Sequence, residues 1–472
     1  MTRTNPLMAL PELARRADVP SAHVRSYRLI APLFGGGVEP QQADPVSVVR
    51  SSEVRGQLRF WWRATRAGRY GPDGLKAMKE AEDLLWGSTE GQSRVEVEVR
   101  LVESGVEIGT YRNGRGGQVY VGDPASPISY GAFPLRNTEQ QPDEQPRPPR
   151  VLRFGVSFDL LITLPRDDTL RQDVIAALWA WETFGGLGAR TRRGFGALHC
   201  WKVQNAEEIG PWLPLYGEAQ QVEAWLRDRL QEFVVPGIAP NGVPQLSRDW
   251  VPKVGRNQNV EVFAGNDARG FESRIRQLLT GGGYSKPSDE LVRGLVAWYY
   301  PIEKLRAFRQ QYRYRSQANN NAYGRSYWPE PDEIRWRTNV FRGRHSQPEP
   351  ANRRRSNKFP RAVFGLPIIF QFKDGIGRPR SLEIDPPSTT LQGAKHDRLA
   401  SPLILRPLAC ADGRIVSVAT LLAAPTTPPG GLKLEGDPSG VPIDTADLTA
   451  VEANFRPLNG QTDVIRAFLA TL

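Results

Sequence analysis

The sequence predicts an α+β chain of two units, on three observations. At 472 residues it is too long for one ordinary core. Residues 22–203 read as strand, helix, strand, strand, helix, strand. The second of those helices runs into Gly185-Gly-Leu-Gly-Ala-Arg-Thr-Arg-Arg-Gly-Phe-Gly196, which leads directly back into a strand.

Taken in order, residues 1–20 read as a leader without the continuous apolar segment of a secretory signal. His23 to Phe34 alternates as a strand. Ser51 or Ser52 can cap the next helix, whose Val54, Leu58 and one of Trp61 and Trp62 share a side. Arg55, Arg59, Arg63 and Arg66 fall on the other side, with no acid four residues on to pair with them. The stripe is therefore a candidate phosphate contact. A second helix is expected over 72–86 and a half-buried strand over 94–102. Residues 104–149 are turn-rich, and 140–150, with four prolines, read as a linker or mobile loop. A strand over 151–164 leads to a helix over 167–184, with Asp167 or Thr169 as its cap. The strand 196–203 closes the unit. The order β-α-β-β-α-β is the split, ferredoxin-like arrangement.

The turn at 185–196 carries the functional signal. Gly185 and Gly186 can supply the left-handed residue that ends the helix. Gly186 and Gly188 allow close approach of a ligand backbone, and Gly188 and Gly194 are expected to leave N–H groups unshielded. Arg190, Arg192 and Arg193 offer forked donors matched to phosphate oxygens. The turn is not a mononucleotide cradle. It runs helix to strand, Thr191 sits where the third glycine of G-x-G-x-x-G belongs, and no G-K-[ST] follows.

The second half is expected as a second, helix-decorated β-α-β-β-α-β unit over 208–472, after a first unit over 1–207. Helices are expected near 219–232, 271–279 and 289–300. Another is expected to start at Pro301 and to carry Arg306, Arg309 and Arg313 on its polar face. Residues 316–360 read as an irregular, basic, partly disordered insertion containing Arg353, Arg354 and Arg355. Strand-like runs follow over 362–372, 402–408 and 415–422, and a helix over 463–472.

The net charge is +11, and residues 303–361 hold 15 Lys and Arg against 5 Asp and Glu, so an anionic partner is expected. No 18-residue apolar run exists, so no membrane span is expected. Cys200 and Cys410 offer neither a disulfide framework nor zinc spacing, which fits a cytoplasmic setting, and no cofactor is expected.

Three stretches together carry a family resemblance: Val54-Arg-Gly-Gln-Leu-Arg-Phe-Trp-Trp-Arg63, the turn 185–196, and Phe364-Gly-Leu-Pro-Ile with Ala400-Ser-Pro-Leu-Ile-Leu-Arg-Pro407. The glycine turn before a final strand resembles the RAMP superfamily of CRISPR-associated proteins. The other two resemble one branch of it, the first-numbered subunit of the type III-B (Cmr) RNA-targeting complex. The resemblance implies tandem ferredoxin-like folds and a place near the 3′ region of the guide. Its implied partners are crRNA, target RNA and the other Cmr subunits, with no catalytic role. The alternative is a metal-independent endoribonuclease that processes CRISPR RNA. That chemistry would need a general base, for which His23 and Tyr27 are the candidates.

Overall fold

The computed structural model describes residues 22–37, 44, 47–136, 150–250, 252–255, 268–311, 326–338, 357–371, 388–437, 439, 443, 448–449 and 456–472. The first unit follows the expected order. Strand β1 (His23–Leu29) is followed by α1 (Ser51–Arg66), α2 (Leu75–Trp86) and β2 (Glu96–Glu103). Two small antiparallel pairs are then built from β3 (Val106–Ile108), β4 (Thr110–Arg112), β5 (Gln118–Tyr120) and β6 (Leu152–Phe154). The unit closes with β7 (Ser157–Thr163), α3 (Asp168–Phe184) and β8 (Leu198–Gln204). The main sheet has the order β2-β7-β1-β8 with every pair antiparallel. Counting only its own four strands, that is 2-3-1-4, the strand order of the split β-α-β-β-α-β arrangement.

Sequence periodicity explains which face of this sheet is covered. Tyr27, Phe158, Leu160 and Ile162 are fully buried in the core that also takes Val54, Leu58, Trp62, Val174 and Leu178 of α1 and α3. Arg25 shares that buried face, and it is held by a full set of partners. It donates to both oxygens of Glu182 at 2.8 and 3.1 Å and to the Ile209 carbonyl, while the Tyr27 hydroxyl donates to Glu182 at 2.6 Å. A buried charge needs such pairing to be tolerated. Asp167 caps α3 by accepting from Leu170 N at 2.9 Å.

The second half is a different assembly from the first. Helix α4 (Ala219–Phe233) packs back on the first unit, where Phe233 stacks on Trp179. Short strands β9 (Gln245–Leu246) and β10 (Lys253–Val254) precede α5 (Ala268–Gly281), α6 (Asp289–Arg309) and α7 (Glu330–Thr338). Strands β11 (Ile368–Phe370) and β12 (Thr389–Gly393) lead to β13 (Leu403–Ala409), β14 (Ile415–Ala423), β15 (Leu432–Leu434) and α8 (Val464–Leu469). The sheet order is β10-β14-β13, with β9 also pairing β14, and β11-β12-β15 form a separate sheet. Strand β10, helix α6, the β13–β14 hairpin and α8 trace β-α-β-β-α, and no closing strand lies beside β10 among the described residues.

Three expectations change here. Helix α6 does not restart at Pro301 but runs through it. Pro301 has no N–H for the carbonyl of Ala297, and the Ser417 hydroxyl on β14 donates to that carbonyl at 2.6 Å instead. The basic stretch 316–360 is folded over residues 326–338, where Trp328 and Ile334 enter two cores and Arg337 pairs with Glu333 and Asp437. Arg353, Arg354 and Arg355 lie outside the described residues. The cores also cross the expected boundary at 207: one joins the first sheet to α4, Val254 and Leu408, and another joins Ile30, Phe34, Ile108, Leu135 and Phe154 to α5 and α6.

Candidate nucleic-acid interface

The turn after α3 is clamped by residues within or beside the other two sequence stretches. Gly188 has φ +75° and donates its N–H to Glu53 of α1 at 2.6 Å. Ala189 N donates to Phe34 O at 2.7 Å, and Gly196 N to Pro32 O at 2.9 Å. Arg192 donates to the Ser401 carbonyl, and Arg193 to those of Phe364 and Leu403 at 2.9 and 3.3 Å. Trp298 of α6 donates to the Arg193 carbonyl at 2.8 Å. Gly194, at φ +73°, lets β13 approach, since a Cβ there would stand 2.6 Å from Leu405 O. Arg406 of β13, fully buried, donates to the carbonyls of Gly185 and Leu198.

The N–H groups of Gly185, Gly188, Gly194 and Gly196 are thus spent inside the protein. Gly188 serves Glu53 and Gly194 serves Thr191 O, so neither offers the unshielded donor expected of it. Gly185 is extended rather than left-handed; the left-handed positions in this turn are Gly188, Arg190, Gly194 and Gly196. Gly186 accepts from the Trp181 indole at 3.2 Å.

The two arginine groups diverge electrostatically. On α1, Arg59 pairs with Glu82 at 2.7 Å and with Asp83 at 3.2 Å, and Arg63 pairs with Glu82 at 2.6 Å. Arg66 pairs with Asp173 at 2.7 Å. The acids absent at i+4 come from α2 and α3, so the premise of an unpaired stripe fails for these three. Among the four, Arg55 has no carboxylate partner among the described residues.

Arg190, Arg192 and Arg193 have no carboxylate partner among the described residues. Arg190, itself left-handed, lies between Phe133 and Phe195 with its guanidinium 4.9 and 5.8 Å from the ring centres. Burial lowers the pKa of Arg190 and of Arg192. Burial, reinforced by Arg309, Arg190 and Arg192, pushes Arg193 down to about 9. Arg309, on α6, donates to the Tyr130 hydroxyl and has no carboxylate partner among the described residues either. Four guanidiniums are therefore gathered without a compensating anion, an arrangement that a phosphate would stabilise. Arg309 was legible only as one of several polar-face arginines on α6.

The two candidate bases differ in burial. Tyr27 is fully buried between Phe158 and Trp181, with its hydroxyl on Glu182 and its pKa well above the ordinary tyrosine value through burial. His23 is partly buried, and desolvation lowers its pKa. His199 faces Glu290 of α6, and Cys200 is a buried thiol with a raised pKa. No cluster of three metal-ligating side chains occurs among the described residues. No described helix is long and apolar enough to cross a membrane.

Residues 26–199 match the RAMP superfamily. The chain also aligns over part of its length with two curated proteins of Pyrococcus furiosus. CRISPR system Cmr subunit Cmr1-2 is 28% identical over 183 residues, 38% of this chain and 94% of that one. CRISPR system Cmr subunit Cmr1-1 is 28% identical over 188 residues, 39% of this chain and 49% of that one. Residues 26–199 form a Cmr1-like RAMP domain. In solved structures, the crystal structure of apo Cmr1 from Pyrococcus furiosus is 14% identical, with a TM-score of 0.42, covering 88% of this chain and 94% of that one. A chain in the cryo-EM structure of type III-B Cmr-beta bound to cognate target RNA is 12% identical with the same TM-score, covering 85% and 94%.

Proposed function

We propose that this chain is a non-catalytic RNA-binding subunit of a type III-B CRISPR (Cmr) effector complex in antiviral defence. In this proposal the turn 185–196 holds the phosphate backbone of guide or target RNA near the 3′ end of the guide. One observation carries it: Arg190, Arg192, Arg193 and Arg309 converge without a carboxylate among the described residues, while the basic stripe of α1 is largely neutralised. The Cmr names of the aligned proteins support the complex. Forked guanidiniums in a region of low dielectric suit phosphate oxygens and carry no base preference by themselves.

RNA contact at this turn makes binding salt-dependent through arginine side chains, because the N–H groups of Gly188 and Gly194 are already bonded. The glycines act as positioning elements that let Glu53, Phe34 and β13 close around the loop. Filter binding of single-stranded RNA over a salt series tests the proposal, with Arg192→Ala expected to lower both affinity and salt slope. Guide processing by this chain would instead be revealed by cleavage of labelled repeat RNA without metal; the burial of Tyr27 leaves His23 as that reaction's remaining candidate base.

A further inference from the structure

Beside the arginine turn lies a cleft of about 180 Å³ whose aromatic walls the phosphate reading does not use. It has room for one planar ring system, well short of the ~300–1,000 Å³ of a drug-sized site. Its apolar lining is Phe60 and Trp61 of α1, Phe184 at the end of α3 and Ile404 of β13. Phe60 and Trp61 meet edge to face at 5.1 Å. Gln57, Thr191 and Arg192 supply its polar lining.

The polar groups have spare hydrogen-bonding capacity. The Gln57 amide and Thr191 hydroxyl have no side-chain partner among the described residues. The Trp61 indole N–H is buried without one, although Trp61 is only 3% exposed. Buried donors of this kind are rare unless a ligand or water completes them. Arg192 spends one nitrogen on Ser401 O and meets no carboxylate among the described residues. Aromatic walls, an amide, a hydroxyl and an adjoining cation match one chemical class: a nucleobase with its phosphate.

We propose that this cleft takes a single unstacked nucleobase of the bound RNA. In that pose Phe60, Trp61 and Phe184 contact the ring, Gln57 and Thr191 bond its polar edge, and Arg192 meets the adjoining phosphate. The inference rests on the RNA reading above and adds to it a preference for bases over bare phosphate. Charge favours this occupant over an apolar peptide, because the Arg192 guanidinium, which has no carboxylate partner among the described residues, borders the cleft.

The test compares binding of single-stranded RNA with binding of inorganic polyphosphate of similar length, using the full chain. The wild type should prefer RNA. Gln57→Leu and Thr191→Val, which keep charge and approximate shape, should each reduce that preference about 3- to 10-fold, the range for losing one hydrogen bond. A ratio is read, so partial unfolding lowers both terms together and does not mimic the result. Equal wild-type affinity for RNA and polyphosphate would overturn the cleft while leaving the phosphate reading in place. A preference that both variants retain would also overturn it, and would leave the cleft to a side chain of a partner subunit. Binding of neither polymer would overturn both proposals.

Discussion

Replacing Gly188 with alanine tests whether the turn is a built clamp or a loose loop. The residue sits at φ +75°, and a Cβ there would stand 2.6 Å from Phe34 O, 2.8 Å from Leu33 Cδ1 and 3.2 Å from Gly35 O. The left-handed conformation costs an L-residue about 1–2 kcal/mol. Relieving a contact with backbone that must move adds about 1–3 kcal/mol. The stiffer unfolded chain returns about 0.4–1 kcal/mol. The net expectation is a loss of about 1–5 kcal/mol, centred near 3. Gly413 provides the control: it has φ +80° in the turn between β13 and β14, with nothing within 4 Å of an added Cβ. Gly413→Ala should therefore show the conformational cost alone, about 1 kcal/mol. Urea denaturation of both variants, followed by tryptophan fluorescence, separates the two contributions. Equal losses would mean that the chain around Phe34 yields freely, and the clamp described here would be refuted.

Further outcomes follow from the charge network. Arg59→Gln should destabilise the α1–α2 contact by about 1–3 kcal/mol, because it leaves the buried Glu82 to Arg63 alone, and it should leave the salt slope of RNA binding unchanged. A lowered slope in this variant would return the α1 stripe to the interface. Glu182→Gln should cost about 3–5 kcal/mol in thermal or urea unfolding, since Arg25 would remain buried without its anion; a near-neutral result would contradict that network. Burial raises the pKa of Glu53, while the Gly188 N–H and Arg50 draw it back, so its charged form costs stability above the folded pKa. Glu53→Gln keeps an oxygen for Gly188 and should match or exceed the wild type at pH 7.5, with the advantage lost as pH falls below the carboxylate range. A clear loss of stability at pH 7.5 would show that the carboxylate itself holds the turn. Incubating labelled repeat RNA with the pure chain without metal should give no cleavage; specific cleavage abolished by His23→Ala would revive the processing alternative.

The first unit was legible because its signals are local. Alternation over β1 and β7, the Asp167 cap and the apolar stripe of α1 each lie within one element, and together they fix the order of elements. The turn at 185–196 was visible in composition, yet its internal use was not. Glu53 lies 135 positions from Gly188, and Phe364 lies 171 from Arg193, so no short-range pattern marks either partner. The α1 arginines misled for the same reason: helix spacing tests only i+4 partners, whereas Glu82 and Asp173 reach them from other helices. Pro301 read as a helix start because the Ser417 hydroxyl that satisfies the freed carbonyl is more than a hundred residues away. The family motifs carried information that spacing did not, since the other two border the glycine turn once folded.

The most direct test of phosphate recognition is the salt slope of single-stranded RNA binding for the wild type and for Arg190→Ala, Arg192→Ala and their double variant. Each phosphate contact on a single strand contributes about 0.7 to the slope of log K against log salt. The slope should fall by about 0.7 in each single variant and by about 1.4 in the double variant, with affinity falling in step. An unchanged slope in folded variants would place the RNA elsewhere and contradict the assignment of this turn.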